Sequence, residues 1–142
     1  MDDKYVPIEE MEMFSTFVEI AEPIWNSVQT WDSLSRETVG KQIIRAADSI
    51  GANLVEGDGR YSVSDTVHFF VIARASARET RYWINRAETR SLMSADFAID
   101  LVGQLNEAAR QLNGVIKYRR NLKSSGVLKE NKADYQCDLE QA

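Results

Sequence analysis

The fold is decided by the stretch Ser49-Ile50-Gly51-Ala52-Asn53-Leu54-Val55-Glu56-Gly57-Asp58-Gly59-Arg60-Tyr61-Ser62. Because an α-helix turns about 100° per residue, Ser49, Asn53 and Glu56 fall on one edge of a helix. That edge lies beside an apolar face formed by Ile43, Ala46, Ala47, Ile50 and Leu54. The stretch therefore predicts a helix, a sharp stop at the glycines and a new helix that starts at Ser62.

Helical periodicity recurs over four segments, at about residues 8–30, 35–56, 63–89 and 95–122. No segment shows the alternation of β-branched and aromatic residues that a strand requires. Short connections between long helices place neighbouring helices antiparallel. We therefore predict an all-α protein, an antiparallel up-down-up-down four-helix bundle. It forms one domain over residues 1–123, and we expect 124–142 to be a mobile polar tail.

Single residues predict how these helices start and stop. Pro23 is expected to kink the first helix without ending it, because the apolar stripe continues in phase beyond it. Ser35, Ser62 and Ser94 are the predicted N-caps of the second, third and fourth helices. Gly57 is expected to take the left-handed backbone conformation that ends many helices.

The apolar stripes of the last two helices predict which side chains enter the core. For the third helix the predicted stripe is Phe69, Ile72, Ala73, Ser76, Thr80, Trp83 and Ala87. For the fourth it is Ala98, Leu101, Leu105, Ala108, Leu112, Val115 and Leu122. Arg119 alone interrupts the second of these stripes. A seam this wide is typical of a bundle core rather than of a two-stranded coiled coil.

Composition excludes several classes of protein. Apolar residues make up 44% of the 142 and charged residues 27%, which is usual for a globular protein and not for a disordered one. No apolar run approaches the roughly 20 residues of a membrane span, and the acidic N-terminus does not resemble a secretory signal. We therefore expect a cytoplasmic protein. A single cysteine, Cys137, excludes a disulfide framework within the chain.

Charge is distributed unevenly along the chain. The net charge is −5, and residues 1–32 hold eight acidic residues against one lysine. Because this field repels polyanions, contact with nucleic acid would require a local basic patch.

The residues offer little for catalysis. His68 is the only histidine, and no metal-binding spacing surrounds it. The run from Glu56 to Gly59 lacks the Gly-Lys-Ser/Thr ending of a phosphate-binding loop. We predict no metal site, no cofactor and no enzymatic activity.

One set of polar residues has two possible roles: Ser49, Asn53, Glu56, Arg60, Ser76 and Glu79. In the favoured interpretation they are structural: Asn53 and Glu56 satisfy backbone donors of the turn, and Arg60 or a neighbouring arginine pairs with Glu79. In the alternative they form a small polar pocket at one end of the bundle, which an enzyme would need.

Four polar residues of the third helix repeat at spacings of four, three and four: Arg74, Arg78, Arg81 and Asn85. We expect this arginine face to lie opposite the core stripe. Cations beside apolar side chains are typical of an interface. Contact with another subunit is the first interpretation, and a nucleic acid or other anionic partner is the second. For nucleic acid, the fourth helix would add Lys117, Arg119, Arg120 and Lys123. The third interpretation is an ordinary solvated face.

Two blocks of this sequence resemble a known family. They are Ser49-x-x-x-Asn53-Leu54-Val55-Glu56-Gly57 with Gly59-Arg60-x-Ser62, and Phe69-Phe70-x-Ile72-Ala73-x-x-Ser76-x-x-Glu79. Together they resemble the bacterial four-helix-bundle proteins encoded in intervening sequences of 23S ribosomal RNA genes. The same family includes accessory variability determinants of diversity-generating retroelements. The likeness spans about residues 10–122, and it departs at Gly51, Val55, Arg74 and Ala75.

The resemblance implies a non-enzymatic bundle that assembles into a ring-like homo-oligomer, a pentamer. It also implies a possible reverse transcriptase partner, although the retroelement members are strongly basic and this chain is acidic. The leading hypothesis is therefore a self-assembling module in which the acidic first helix of one subunit meets the arginine face of the next. The alternative is an RNA- or DNA-binding accessory protein that uses the same arginines.

Overall fold

A computed structural model describes residues 5–122 of the chain. Four long helices account for most of this range, and it contains no β-strand. They are α1 (Glu12–Val28), α2 (Ser33–Ser35, Arg36–Gly40 and Lys41–Asp58 in direct succession), α3 (Val63–Thr89) and α4 (Ala95–Leu122). The predicted all-α class is confirmed. The predicted tail, 124–142, lies outside the described residues.

The N-terminal part of the first predicted helix is a separate element. Ile8–Glu10 forms a 3₁₀ turn, and Met11 then takes an extended backbone conformation, so α1 begins at Glu12 and not near residue 8. The helix passes through Pro23 without ending. The buried Ile8 packs in the core, which fixes this N-terminal segment against the bundle.

The second helix begins earlier than predicted and contains an irregular turn. Asp32, not Ser35, is its N-cap, and its carboxylate accepts hydrogen bonds from the Ser35 amide at 3.2 Å and hydroxyl at 2.6 Å. These hydrogen bonds lower the pKa of Asp32 below its usual value. The turn at Arg36–Gly40 is π-helical.

Gly57 has a different role from the predicted one. It lies inside α2, which continues to Asp58, and no left-handed backbone occurs there. An added Cβ would instead meet Phe69 Cβ at 2.6 Å and the Thr66 carbonyl oxygen at 3.1 Å. The glycine therefore allows α2 and α3 to approach closely. Because the two helices are this close, the Thr66 hydroxyl donates a hydrogen bond to the Gly57 carbonyl at 2.9 Å.

The last two helices have the bounds expected from the sequence. Ser62 Oγ accepts the Asp65 amide at 3.1 Å, and Ser94 Oγ accepts the Phe97 amide at 3.2 Å, so both serines cap their helices. Between the helices, Ser91 adopts a positive φ of 61°.

The core lies between the four helices, and α1 and α3 each pack against both α2 and α4. The predicted stripe of α3 was partly wrong, because the helix is rotated relative to that stripe. Phe70, Ala77 and Ile84 are buried. The residues predicted in their place are only half-buried: Phe69, Ile72, Ser76 and Trp83. In α4 most of the predicted stripe is buried (Ala98, Leu101, Leu105, Ala108 and Leu112), whereas Val115 and Leu122 are half-buried and Arg119, predicted to interrupt the stripe, is buried.

Candidate interaction surfaces

The arginine face borders α4, not the side of α3 opposite the core. Arg74 Nη1 donates to Asn113 Oδ1 at 3.0 Å, and Arg81 Nη1 donates to Asn106 Oδ1 at 3.0 Å. Arg78 lies between these two arginines along α3. We name this feature the arginine groove; it is lined by Arg74, Ala77, Arg78, Arg81, Leu105, Asn106, Ala109 and Asn113.

The charges of the arginine groove are uncompensated. No carboxylate lines it within residues 5–122, and the two oriented guanidinium groups contact neutral amides. Arg78 is exposed and makes no hydrogen bond or ion pair with another described residue. Asn85, predicted as part of the same face, is exposed but does not line the groove. The groove therefore presents three positive charges, all from one helix.

The polar set predicted from the sequence divides into separate local contacts. Ser49 Oγ donates to the Ala46 carbonyl at 2.9 Å, and Asn53 Nδ2 donates to the Ser49 carbonyl at 2.8 Å. Both side chains therefore bond the backbone of their own helix. The prediction that Asn53 and Glu56 satisfy backbone donors of the following turn was wrong, because Glu56 instead pairs with Arg60 at 2.6 Å.

Glu79 makes the predicted contact across α2 and α3, with Arg45 as its partner. It also accepts a hydrogen bond from Trp83 Nε1 at 3.3 Å. Arg60 lies over the Phe69 ring at 4.6 Å. Ser76 is half-buried, and its carbonyl accepts the Thr80 hydroxyl at 2.8 Å. These contacts give Glu56 and Glu79 different arginine partners and do not join the set into one polar pocket.

A second groove runs between α1 and α2 and has the opposite character. Its volume is about 500 Å³, and it is lined by Phe14, Phe17, Val18, Ala21, Glu22, Ala47, Asp48, Gly51, Ala52, Val55 and Glu56. Val18 and Val55 are each 43% exposed, and Gly51 leaves room between the helices. We name it the acidic groove, because its lining combines apolar residues with Glu22, Asp48 and Glu56; Glu56 is paired with Arg60, which leaves Glu22 and Asp48 as its unpaired acidic residues within the described part of the chain.

Sequence reasoning missed a buried ion pair at one end of the bundle. Arg119 Nη1 donates to Asp58 Oδ1 at 3.0 Å, and the two residues are only 2% and 5% exposed. Asp58 Oδ2 accepts the Ile8 amide at 3.0 Å, and Arg119 Nη2 donates to the Val6 carbonyl at 3.3 Å. The ion pair thus joins the N-terminal segment, the end of α2 and the end of α4. The signal in the sequence that could have revealed this ion pair was Arg119, because a charged residue interrupts the apolar seam of α4 there.

Aromatic rings surround this ion pair. The Arg119 guanidinium lies 5.4 Å from the ring centres of Tyr5 and Phe70. The Tyr5 hydroxyl donates to the Asp58 carbonyl at 3.3 Å. Burial, and then the nearby Asp58, raise the pKa of Tyr5 well above its ordinary value. Arg119 therefore belongs to the core and not to the basic patch predicted for nucleic acid; Lys117 and Arg120 are exposed, and Lys123 lies outside the described residues.

Residues 5–122 contain no group of three or more histidine, cysteine, aspartate or glutamate side chains arranged to hold a metal ion. His68 is exposed and contacts the edge of the Phe69 ring. Within the same range, no helix combines the length and the apolar character needed to cross a membrane.

The packed helices, with the acidic groove between α1 and α2 and the arginine groove between α3 and α4, define a helical-bundle protein. The family model of the 23S rRNA-intervening sequence proteins matches residues 9–114. The chain belongs to this family, which confirms the resemblance stated above.

A solved structure supports the same assignment. The chain is similar to a protein of unknown function from the S23 ribosomal protein family of Bacteroides thetaiotaomicron, with a TM-score of 0.66 and 27% sequence identity. The match covers 74% of this chain and 98% of the other. No match was found among curated proteins.

Proposed function

We propose that the protein is a non-catalytic interaction module that assembles with copies of itself. In this assembly, the acidic groove of one subunit meets the arginine groove of the next. The observation that carries the proposal is the presence, on one chain, of two grooves with opposite charge.

The proposal includes the up-down-up-down antiparallel topology. Contacts between neighbouring helices support it. On α1 and α2, Val18 lies beside Gly51, and Val28 lies beside Gly40, so the later residue of one helix meets the earlier residue of the other. The hydrogen bonds of Arg74 to Asn113 and of Arg81 to Asn106 run in the same opposite sense between α3 and α4.

The positions of the grooves favour assembly over contact within one chain. Because α1 and α3 both pack against α2 and α4, α1 and α3 lie at opposite corners of the bundle. The acidic and arginine grooves therefore face different directions. Contact between unlike surfaces is heterologous, and it produces a closed ring when the rotation between subunits closes. We propose such a ring, with the five subunits that the family resemblance implies.

Apolar burial and charge have different roles in this contact. The exposed Val18 and Val55 supply apolar area in the acidic groove. Exposed ion pairs contribute only about 0–1 kcal/mol each, but opposite charges select and orient the partner. The expected assembly therefore weakens, but does not vanish, as salt rises.

Multi-angle light scattering of three variants tests the proposal. Arg78→Glu and Glu22→Arg each place a like charge against the neighbour, and both are expected to yield smaller species than the wild type. Arg36→Glu is the matched control, because Arg36 is exposed on the π-helical turn, away from both grooves. A wild type that is monomeric at micromolar concentration, at low and at moderate salt, would refute self-assembly.

A second candidate function is an accessory protein that binds RNA or DNA and works with a reverse transcriptase or with ribosomal RNA. The observation that favours it is the arginine groove, whose lining lacks carboxylates among the described residues. Backbone contacts to nucleic acid give binding that falls steeply with salt. Electrophoretic mobility shifts with RNA at about 50 mM salt test it. Loss of binding in Arg78→Glu but not in Arg36→Glu supports it, and no binding by the wild type excludes it.

A further inference from the structure

The arginine groove holds its cations in an arrangement that leaves hydrogen-bond donors available. A guanidinium carries five N–H donors in a fixed planar fork. Arg74 and Arg81 each use one terminal nitrogen on an asparagine oxygen, at 3.0 Å in both cases. A neutral amide orients the guanidinium without neutralising it. The two outer arginines are therefore positioned, while their charge remains unpaired.

Arg78 lies between these two positioned arginines. Arg74 and Arg81 are seven residues apart, which corresponds to about 10.5 Å along a helix. Arg78 is exposed and has no partner among the described residues, so its side chain is able to turn toward either neighbour. The three arginines therefore line one groove, with Arg78 between the two that α4 holds in place.

Partial burial strengthens the electrostatic interactions that the groove arginines can make. Arg74 and Arg81 are half-buried, and Ala77, Leu105 and Ala109 form an apolar floor. Charges beside such a floor act through a lower effective dielectric than charges in open water. Arginine forks match the oxygen spacing of phosphate and bond it through paired N–H donors.

From these observations we infer that the arginine groove binds one phosphate group, as inorganic phosphate or as the terminal phosphate of a small molecule. Arg74, Arg78 and Arg81 supply the charge, and Asn106 and Asn113 hold the outer two arginines in place. The groove volume of about 200 Å³ is suited to a single small anion. A long polyanion would extend beyond it and meet the acidic remainder of a chain whose net charge is −5.

This inference rests on the proposed function in one respect, because the phosphate would occupy the place where the neighbour's carboxylates dock. Phosphate is therefore expected to compete with assembly. Such competition would make the size of the oligomer respond to phosphate concentration at constant ionic strength.

Isothermal titration calorimetry with inorganic phosphate tests the site, with sodium chloride and sodium acetate at matched ionic strength as comparison anions. Wild type and Glu22→Arg are both titrated, because Glu22→Arg leaves the arginine groove intact and keeps it uncovered. We expect one phosphate per chain. Arg78→Gln should weaken binding about tenfold or more, because it removes charge-assisted hydrogen bonds. The control Arg36→Gln should stay within about twofold of the wild type.

The outcomes separate the inference from the proposed function. Absence of saturable phosphate binding in both proteins overturns the site, as does equal weakening by Arg78→Gln and Arg36→Gln. Acetate binding as tight as phosphate, or a short single-stranded RNA binding far more tightly at the same arginines, overturns the assignment to a small phosphate. Light scattering decides self-assembly independently. A chain that binds phosphate but stays monomeric refutes the assembly and leaves the site standing.

Discussion

The buried end of α4 and the arginine groove use arginine in contrasting ways. Arg119 is 2% exposed, pairs with a buried carboxylate and donates to a backbone carbonyl. The arginines of the groove lie at the surface, and the two with partners contact neutral amides. A buried charge must be compensated where it lies, because desolvation is costly. A surface charge need not be, and it remains available for an external partner.

The difference separates residues that maintain the fold from residues that recognise a ligand. Removal of the buried arginine or its partner should affect stability first. Removal of a groove arginine should affect binding and leave stability nearly unchanged. Four stability measurements test this contrast, taken from the largest expected effect to the smallest.

The largest effect is expected for Asp58→Ala. The substitution leaves Arg119 buried without its counter-ion and removes the acceptor of the Ile8 amide, so stability should fall by about 3–5 kcal/mol. Chemical denaturation followed by circular dichroism measures the loss. Glu107→Ala, which breaks the exposed pair with Arg110, is the matched control and should cost less than about 1 kcal/mol. Equal losses in the two variants would remove the distinction between the buried and surface pairs.

Gly57→Ala should have the next largest effect, about 1–3 kcal/mol, because the new methyl group would overpack the contact with α3. The measurement is the same unfolding free energy. Gly114→Ala is the control, since nothing lies within 4 Å of its added Cβ and alanine favours the helix. The control should be unchanged or up to about 1 kcal/mol more stable. A Gly57→Ala variant as stable as the wild type would show that α2 and α3 are not packed as closely as described.

Tyr5→Phe should cost about 0.5–1.5 kcal/mol near neutral pH, the net contribution of one hydrogen bond. The variant also changes the response to alkaline pH. Because the folded protein raises the pKa of Tyr5, its contribution is complete below pH 10.0, the ordinary value, and is lost as the pH rises above it. Stability curves above that pH should therefore fall more steeply for the wild type than for Tyr5→Phe. If stability falls equally steeply with pH in the wild type and in Tyr5→Phe, the fold does not raise the pKa of the Tyr5 phenol.

The smallest effect on stability is expected for Arg78→Gln, less than about 0.5 kcal/mol, because the side chain is exposed and has no partner among the described residues. Thermal unfolding of the wild type and of Arg78→Gln, each with and without phosphate, measures both the stability and the effect of the ligand. Added phosphate should stabilise the wild type through binding to the folded state and should have less effect on the variant. A destabilisation as large as that of Asp58→Ala would place Arg78 among the structural residues.

Local signals in the sequence predicted the helices well where capping chemistry is strong. Ser62 and Ser94 mark the starts of α3 and α4, because a serine hydroxyl satisfies an amide that the first helical turn leaves free. Ser35 misled the prediction of α2 because Asp32, three residues earlier, is an equally good cap and its carboxylate accepts the Ser35 amide and hydroxyl. The π-helical turn at Arg36–Gly40 has no local signature and was not predicted.

The contact surfaces were less predictable because they depend on helix rotation. Periodicity suggested Phe69 in the core, yet the structure buries Phe70, and this shift moves the arginines from the outer side of α3 to its border with α4. Asn106 and Asn113 could not be associated with those arginines before the helices were placed together. The Asp58–Arg119 pair spans 61 residues of sequence, and no local pattern joins residues so far apart.

This separation has a consequence for the order of events during synthesis. Arg119 bonds residues near the other end of the described chain, including Val6 at a sequence distance of 113. Before α4 is translated, the N-terminal segment is held by the hydrogen bond from the Ile8 amide to Asp58 and by the packing of Ile8, and it lacks the Arg119 bond to Val6. A nascent chain that contains only α1, α2 and α3 therefore carries Asp58 without its arginine partner, and the ion pair forms only after α4 has been translated.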